Sequence, residues 1–207
     1  MNVVLYGATG KAGRAIYKEL SQRGHQVKAV ARKADAEGEI ATLIQDDLSS
    51  VDRIAAIVAG SDVVVSAYAP PRDDTDQLAH VTQRLISAVQ QAGSPRLVVV
   101  GGCGSLYFSP GVTVLKSGYW PEAYVPIAES HIKAFAALRA SEINWTYFSP
   151  PMSITPGERT GKFRLGRDDL IKDAEGKSRV SFEDYAVALV DELERPAHER
   201  ARFTIGY

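Results

Sequence analysis

Seven residues near the N-terminus, Gly7-Ala8-Thr9-Gly10-Lys11-Ala12-Gly13, restrict the fold more than any other stretch of the chain. They follow a β-branched run, Asn2 to Tyr6, and open an amphipathic one, Lys11 to Arg23. A sharp exit from a strand is easiest without a Cβ, which Gly7 allows. Gly10 lets the backbone approach a diphosphate, and Gly13 lets the helix lie close on the strand. Free amides at the helix start, backed by the positive end of its dipole, then face an anion. The spacing is G-x-x-G-x-x-G. A phosphate-cradling P-loop is excluded because Lys11 is not followed by the rest of that motif. A turn in this setting predicts a dinucleotide-binding βαβ unit.

The remainder of the sequence continues that alternation. Strands are predicted at Gln26–Ala31, Thr42–Gln45, Asp62–Ser66, Arg96–Val100, Trp145–Phe148 and Arg202–Ile205. Helices are predicted through Ile54 and Val58, over Asp74–Ala92, over Ala128–Ala140, and from Ser181 to about Glu194. Gly24 stands where a left-handed helix cap is wanted, and Ser49/Asp52 and Ser181/Asp184 have capping-box spacing. Short β-branched runs between amphipathic stretches predict a doubly wound α/β fold of Rossmann type with a mostly parallel sheet. Residues 1–207 are expected to form a single NAD(P)-binding domain. Two long connections, 102–127 after strand five and 149–180 after strand six, interrupt the pattern. The second carries turn signals, including Glu175-Gly176, that predict a small hairpin. Both leave the carboxyl edge of the sheet, where open α/β folds bind ligands, so they are the expected substrate pocket.

Composition narrows the class further. Basic and acidic residues number 24 and 25, giving net charge -1, which excludes bulk attraction to nucleic acid or to an anionic membrane. No run is long enough to span a bilayer and no signal-peptide pattern opens the chain, so a cytoplasmic protein is expected. The one cysteine, Cys103, reads as a small buried thiol. His25, His80, His131 and His198 are scattered without metal-ligand spacing, and no metal site is expected.

The end of the second strand bears on cofactor choice. Where NAD binders place an acid for the ribose 2′-hydroxyl, this chain has Ala31-Arg32-Lys33. Arg32 suits a 2′-phosphate because its fork matches phosphate oxygens, which favours NADP(H). Exposed surface cations are the alternative, with Asp35 or Glu37 reaching a ribose. After the third strand, Asp47 is placed to accept from an adenine amine and Leu48 to cover the ring. An acidic turn before a helix explains the same residues.

Gly7 to Gly13, Arg32, Asp47-Leu48, Val98-Val99-Val100-Gly101-Gly102 and Trp145-Thr146-Tyr147-Phe148-Ser149-Pro150-Pro151 together resemble the atypical short-chain dehydrogenases. Pro156-Gly157-Glu158-Arg159-Thr160-Gly161 and Ser181 to Ala188 extend the resemblance over essentially the whole chain. The group most resembled is the small NAD(P)H–flavin reductases, relatives of NmrA-like proteins and of biliverdin-IXβ reductase. The resemblance implies cofactor contacts at Gly7, Thr9, Gly10, Lys11, Ala12, Gly13, Arg32, Lys33, Asp47, Leu48, Ala67, Tyr68, Ala69, Gly101, Gly102 and Pro150. It also implies pocket roles for Ser105 and for His131, whose imidazole would donate a proton near neutral pH.

One departure matters chemically. Typical short-chain dehydrogenases carry Tyr-x-x-x-Lys on the helix after strand five, whereas this helix reads Glu129-Ser130-His131-Ile132-Lys133. Glu129 and Lys133 are spaced for an ordinary helical ion pair. Flavin reduction tolerates the missing Tyr, because the second proton can come from solvent. The expected function is therefore hydride transfer from NAD(P)H to a flavin, quinone or similar planar acceptor, with flavin a substrate rather than a bound group. The alternative is a non-catalytic NmrA-like sensor of NADP(H) or NAD(H) that acts through a protein partner. Tyr107, Phe108, Tyr119, Trp120 and Tyr124 in the long loop could stack on the acceptor, close a homodimer interface, or pack the loop.

Overall fold

A computed structural model describes residues 1–33, 40 and 42–207. The opening unit is β1 (Asn2–Tyr6), α1 (Lys11–Gln22) and β2 (Gln26–Ala31). Gly24, at φ +76°, ends α1. Its N–H reaches Ser21 O at 3.1 Å and the His25 N–H reaches Leu20 O at 3.0 Å, the paired closure that a left-handed glycine permits. There follow β3 (Leu43–Gln45), α2 (Val51–Val58), β4 (Val63–Ser66), α3 (Gln77–Gln91) and β5 (Arg96–Val100). The connection after β5 holds the small pair β6 (Tyr107–Ser109) and β7 (Val112–Thr113) before α4 (Val125–Ala140). After β8 (Trp145–Ser149) come β9 (Ser153–Thr155), β10 (Arg164–Gly166) and β11 (Arg179–Ser181). The chain closes with α5 (Phe182–Glu194) and β12 (Ala201–Gly206).

The main sheet has the order β10-β12-β8-β5-β4-β1-β2-β3, parallel throughout except where β10 runs against β12. Alternation along β1 sends Val3 and Leu5 toward α1 and α5, and Val4 and Tyr6 toward the side of α2, α3 and α4. Both faces are therefore covered, and all four residues of β4 are buried. Each fully buried Val or Leu contributes on the order of 1.5–3 kcal/mol of transfer free energy. β1 lies between β2 and β4, with Tyr6 in register with both Val30 and Ser66. Strand order reverses here, which opens a crevice at the carboxyl ends. Among the described residues, no helix is long and apolar enough to cross a membrane.

Three local expectations are corrected. The cap of α2 is Ser50, whose Oγ accepts the Arg53 N–H at 3.3 Å; Ser49 instead donates its N–H to Asp47 Oδ1 at 3.0 Å. Leu48 takes φ +62° and turns the chain, so the helix starts one residue later. The Glu175-Gly176 turn exists without a hairpin: Asp173 Oδ1 takes the Glu175 and Lys177 amides at 3.0 and 2.9 Å. β11 pairs in parallel with β9 instead. Lys133 reaches across to Asp76 at 2.7 Å, before α3, and not to Glu129.

Candidate functional site

The glycine turn is dictated by close packing. Gly7 holds φ +75°, and a Cβ there would stand 2.4 Å from Ala67 O. A Cβ on Gly13 would stand 2.0 Å from Gly7 O, well inside any real contact. The Gly7 and Ala8 amides both donate to Val30 O, at 2.9 and 3.2 Å, tying the turn to β2. Gly10 is exposed and caps α1 without a side-chain bond, so the first amides of the helix have no acceptor within it.

The turn that leads into these amides borders a cleft of about 260 Å³. It brings together Gly7, Thr9, Gly10, Arg32, Asp47, Leu48, Ala67, Tyr68 and Ala69, all singled out in the sequence. A groove of about 370 Å³ adjoins it, sharing Arg32 and Asp47 and adding Arg53. Arg32 is exposed, and among the described residues its guanidinium has no carboxylate partner. Asp46 is buried and committed, taking Arg53 Nε at 2.9 Å and the Leu48 N–H at 3.3 Å. Asp47 stays exposed, its carboxyl held below the usual range by hydrogen bonds from Ser49. Leu48, 3% exposed, forms part of the wall. Asp35 and Glu37 lie outside the described residues. Lys11 and Lys33 are exposed, Ala12 is half-buried and Gly13 is buried; none of these four lines the cleft.

Sequence reasoning missed Tyr6 and Gln77 in this wall. Tyr6 was legible as the last residue of a strand at the switch point. It is 1% exposed, and its hydroxyl has no partner among the described residues. Burial pushes its pKa far up, so it stays a neutral donor. A glycine turn that leads into uncapped helix-start amides, an orphaned hydroxyl in the wall and a guanidinium with no carboxylate partner among the described residues fit a polar, anionic ligand. A dinucleotide has that chemistry.

Farther along the same edge, the chain after β5 is held from β8. The Gly101 N–H donates to Phe148 O at 2.8 Å and the Gly102 N–H to the Tyr147 hydroxyl at 3.0 Å. A Cβ on Gly101 would meet Tyr147 Cε1 at 2.4 Å, and one on Gly102 would meet His131 Cγ at 2.7 Å. The two glycines thus seat Tyr147 and His131. The Tyr147 hydroxyl donates to His131 O at 3.1 Å and lies 3.3 Å from its Nδ1. Burial pushes the His131 pKa down to about 4, so the ring is neutral at neutral pH rather than the charged proton donor expected. Ser105 Oγ accepts from Arg202 Nη1 at 2.7 Å, and no hydrogen bond joins it to His131. Pro150, half-buried, follows β8. Burial pushes the Cys103 thiol up to about 12, as suits a buried, unreactive sulfur. The loop aromatics pack on one another, Phe108 stacking on Tyr119 at 5.1 Å and Trp120 meeting Tyr124 edge-on at 6.4 Å. Tyr119 remains 71% exposed. Among the described residues, no group of three His, Cys, Asp or Glu side chains is placed to hold a metal.

A family profile described as NAD(P)H-binding matches residues 7–196. The chain belongs to that NAD(P)H-binding family. A relative from Bacillus subtilis (strain 168), the uncharacterised protein YwnB, is 36% identical and covers 99% of this chain and 98% of its own. A solved structure from Bacteroides thetaiotaomicron, named as a candidate epimerase, is 40% identical with TM-score 0.91, over 100% of this chain and 96% of that one. Another, from Streptococcus pneumoniae TIGR4 and named as a candidate NADH-flavin reductase, is 29% identical with TM-score 0.90. It covers 100% of this chain and 99% of its own. The family is thus one of NAD(P)-binding, oxidoreductase-like proteins of Rossmann type.

Proposed function

We propose that this chain is an NAD(P)H-dependent reductase, preferring NADP(H), that passes hydride to a flavin, quinone or similar planar acceptor arriving from solution. The observation that carries the reading is the switch-point cleft, lined by Gly7, Thr9 and Gly10 just ahead of α1 and, at its rim, by Arg32, which has no carboxylate partner among the described residues. In this reading Gly10 and the first turn of α1 hold the diphosphate, and Arg32 grips the 2′-phosphate. Asp47 accepts from the adenine amine while Leu48 covers the ring, and Gly101, Gly102 and Pro150 border the nicotinamide end. When bound, the reduced nicotinamide supplies the hydride and solvent supplies the proton. Positioning carries most of the acceleration, because no Tyr stands four residues before Lys133. The same absence argues against an epimerase, whose chemistry needs that Tyr. The chain then works as one domain in a reducing compartment, the cytoplasm.

The Streptococcus relative named for NADH-flavin reduction supports the choice of acceptor. A second reading, a redox sensor without turnover, is favoured by the neutral His131 and by Ser105 being engaged with Arg202. Steady-state oxidation of NADPH and NADH with FMN, FAD and a quinone separates the two. Turnover on any acceptor, faster with NADPH, is the expected result. Tight cofactor binding with no turnover leaves the sensor, and no association at millimolar nucleotide overturns both.

A further inference from the structure

A second cleft, of about 510 Å³, lies on the face of the sheet that carries α4. Trp145 and Ala201, the first residues of β8 and β12, line it, so it opens near the opposite end of the strands from the glycine turn. It shares no lining residue with the dinucleotide cleft. Its walls hold Arg139, Arg167, Arg200 and Arg202 against one carboxylate, Asp168. That carboxylate is already taken by Arg202, whose Nε lies 2.9 Å from it. Arg139 and Arg202 both approach the ring of Phe135, with Cζ at 5.9 and 4.9 Å from its centroid. Among the described residues the Arg200 guanidinium meets only the Ser141 carbonyl, at 3.4 Å, and the Arg167 side chain has no hydrogen-bond or ion-pair partner.

Guanidinium groups gathered at one opening repel one another unless an anion sits among them. An independent observation points the same way. Trp145 is 4% exposed, lines this cleft, and its indole Nε1 has no acceptor among the described residues. Buried donors without a partner are rare in folded proteins and mark a missing acceptor.

We propose that this cleft binds a compact small-molecule dianion, a phosphate ester or a dicarboxylate. Arginine forks match the paired oxygens of either group, and the volume suits a metabolite. Phe135 and the half-exposed Tyr107 offer ring surface to an organic body. Because Arg202 also donates to Ser105, an occupant would sit one side chain from the loop that follows β5. The inference does not depend on the reductase reading.

Calorimetric titration of the full chain at fixed ionic strength, with glycerol phosphate in one arm and succinate in the other, tests it. Submillimolar binding of either probe is expected, weakened at least about tenfold by the double substitution Arg139→Ala with Arg167→Ala, while NADPH affinity holds. The arm that responds assigns the phosphate or the carboxylate source. Binding that persists undiminished in the double variant, as a phosphate lodged at the glycine turn would, overturns the proposal. So does the absence of binding of either probe at about 10 mM.

Discussion

At the β1–α1 turn the chain is shaped by backbone meeting backbone, whereas the chain after β5 and β8 is held mainly by side chains. Gly7 and Gly13 leave no room for a methyl group, and the obstructing atoms are main-chain carbonyls that cannot rotate away. Around the second region the constraints are hydroxyls, rings and carboxylates: Tyr147 under Gly102, Arg202 on Ser105, and Asp184 under the 156–161 segment. The first arrangement fixes a ligand class. The second is open to change, because side chains can be exchanged without moving the sheet.

Substitutions can break this contrast. The largest loss is expected from Gly13→Ala, at least about 3 kcal/mol from overpacking against a carbonyl, with the denaturation midpoint as readout. Gly24→Ala, which meets nothing within 4 Å but inherits a left-handed φ, should cost only about 1 kcal/mol. Equal costs would dissolve the distinction between a packed and a merely turned glycine. Next comes Asp184→Ala. This fully buried carboxylate accepts from Thr160 Oγ1 at 2.5 Å, the Gly161 N–H at 2.7 Å and the Tyr207 hydroxyl at 2.8 Å. Leaving those donors unmet should cost roughly 2–4 kcal/mol and loosen the second region without abolishing cofactor binding.

A pH effect of intermediate size follows from His131. Its folded pKa is depressed, so the unfolded chain takes the proton first as pH falls. Stability should decline from about pH 6.5 toward pH 4, by on the order of 2 kcal/mol, and His131→Asn should flatten that limb of the urea-measured profile. Above pH 7 the variant and the parent should show the same pH dependence. Arg32→Ala is expected to weaken NADPH about tenfold while sparing NADH, one charge-assisted contact being worth about that factor. Fluorescence titration with both nucleotides would show equal losses if Arg32 only solvates the surface. The smallest effect belongs to Ser105→Ala, under about 1 kcal/mol in stability, because Arg202 keeps Asp168. A large fall in turnover in that variant would restore the hydroxyl to the chemistry.

The same contrast explains what the sequence disclosed. The turn, the strands around it and the Ser181 cap of α5 were legible because each depends on residues close in the chain. Ser181 Oγ accepts the Asp184 N–H at 3.0 Å, as its spacing predicts. Two errors were local, the Ser50 cap of α2 and the Asp173 turn, where neighbouring residues compete for the same role; others arose where the partner is remote. Glu129 is Lys133's neighbour in sequence, yet Asp76 of another element takes the charge. α4 starts at Val125, ahead of the predicted Ala128, with Pro126 fitting its first turn. The orphaned Tyr6 hydroxyl and the four arginines of the second cleft come from strands, a helix and loops far apart in the chain. No local spacing could have assembled them.

The short strand β10 has a bearing on solubility. A parallel sheet ending at β12 would expose a row of unpaired amides and carbonyls, an open template for strand addition by another chain. Three residues running the other way cover Thr204, Ile205 and Gly206. Arg164, the first of them, donates to Lys172 O at 2.6 Å and to Tyr207 O, pinning the cover at its margin. Shaving β10 off, or replacing Arg164, should show itself as aggregation on concentration well before it shows as lost secondary structure.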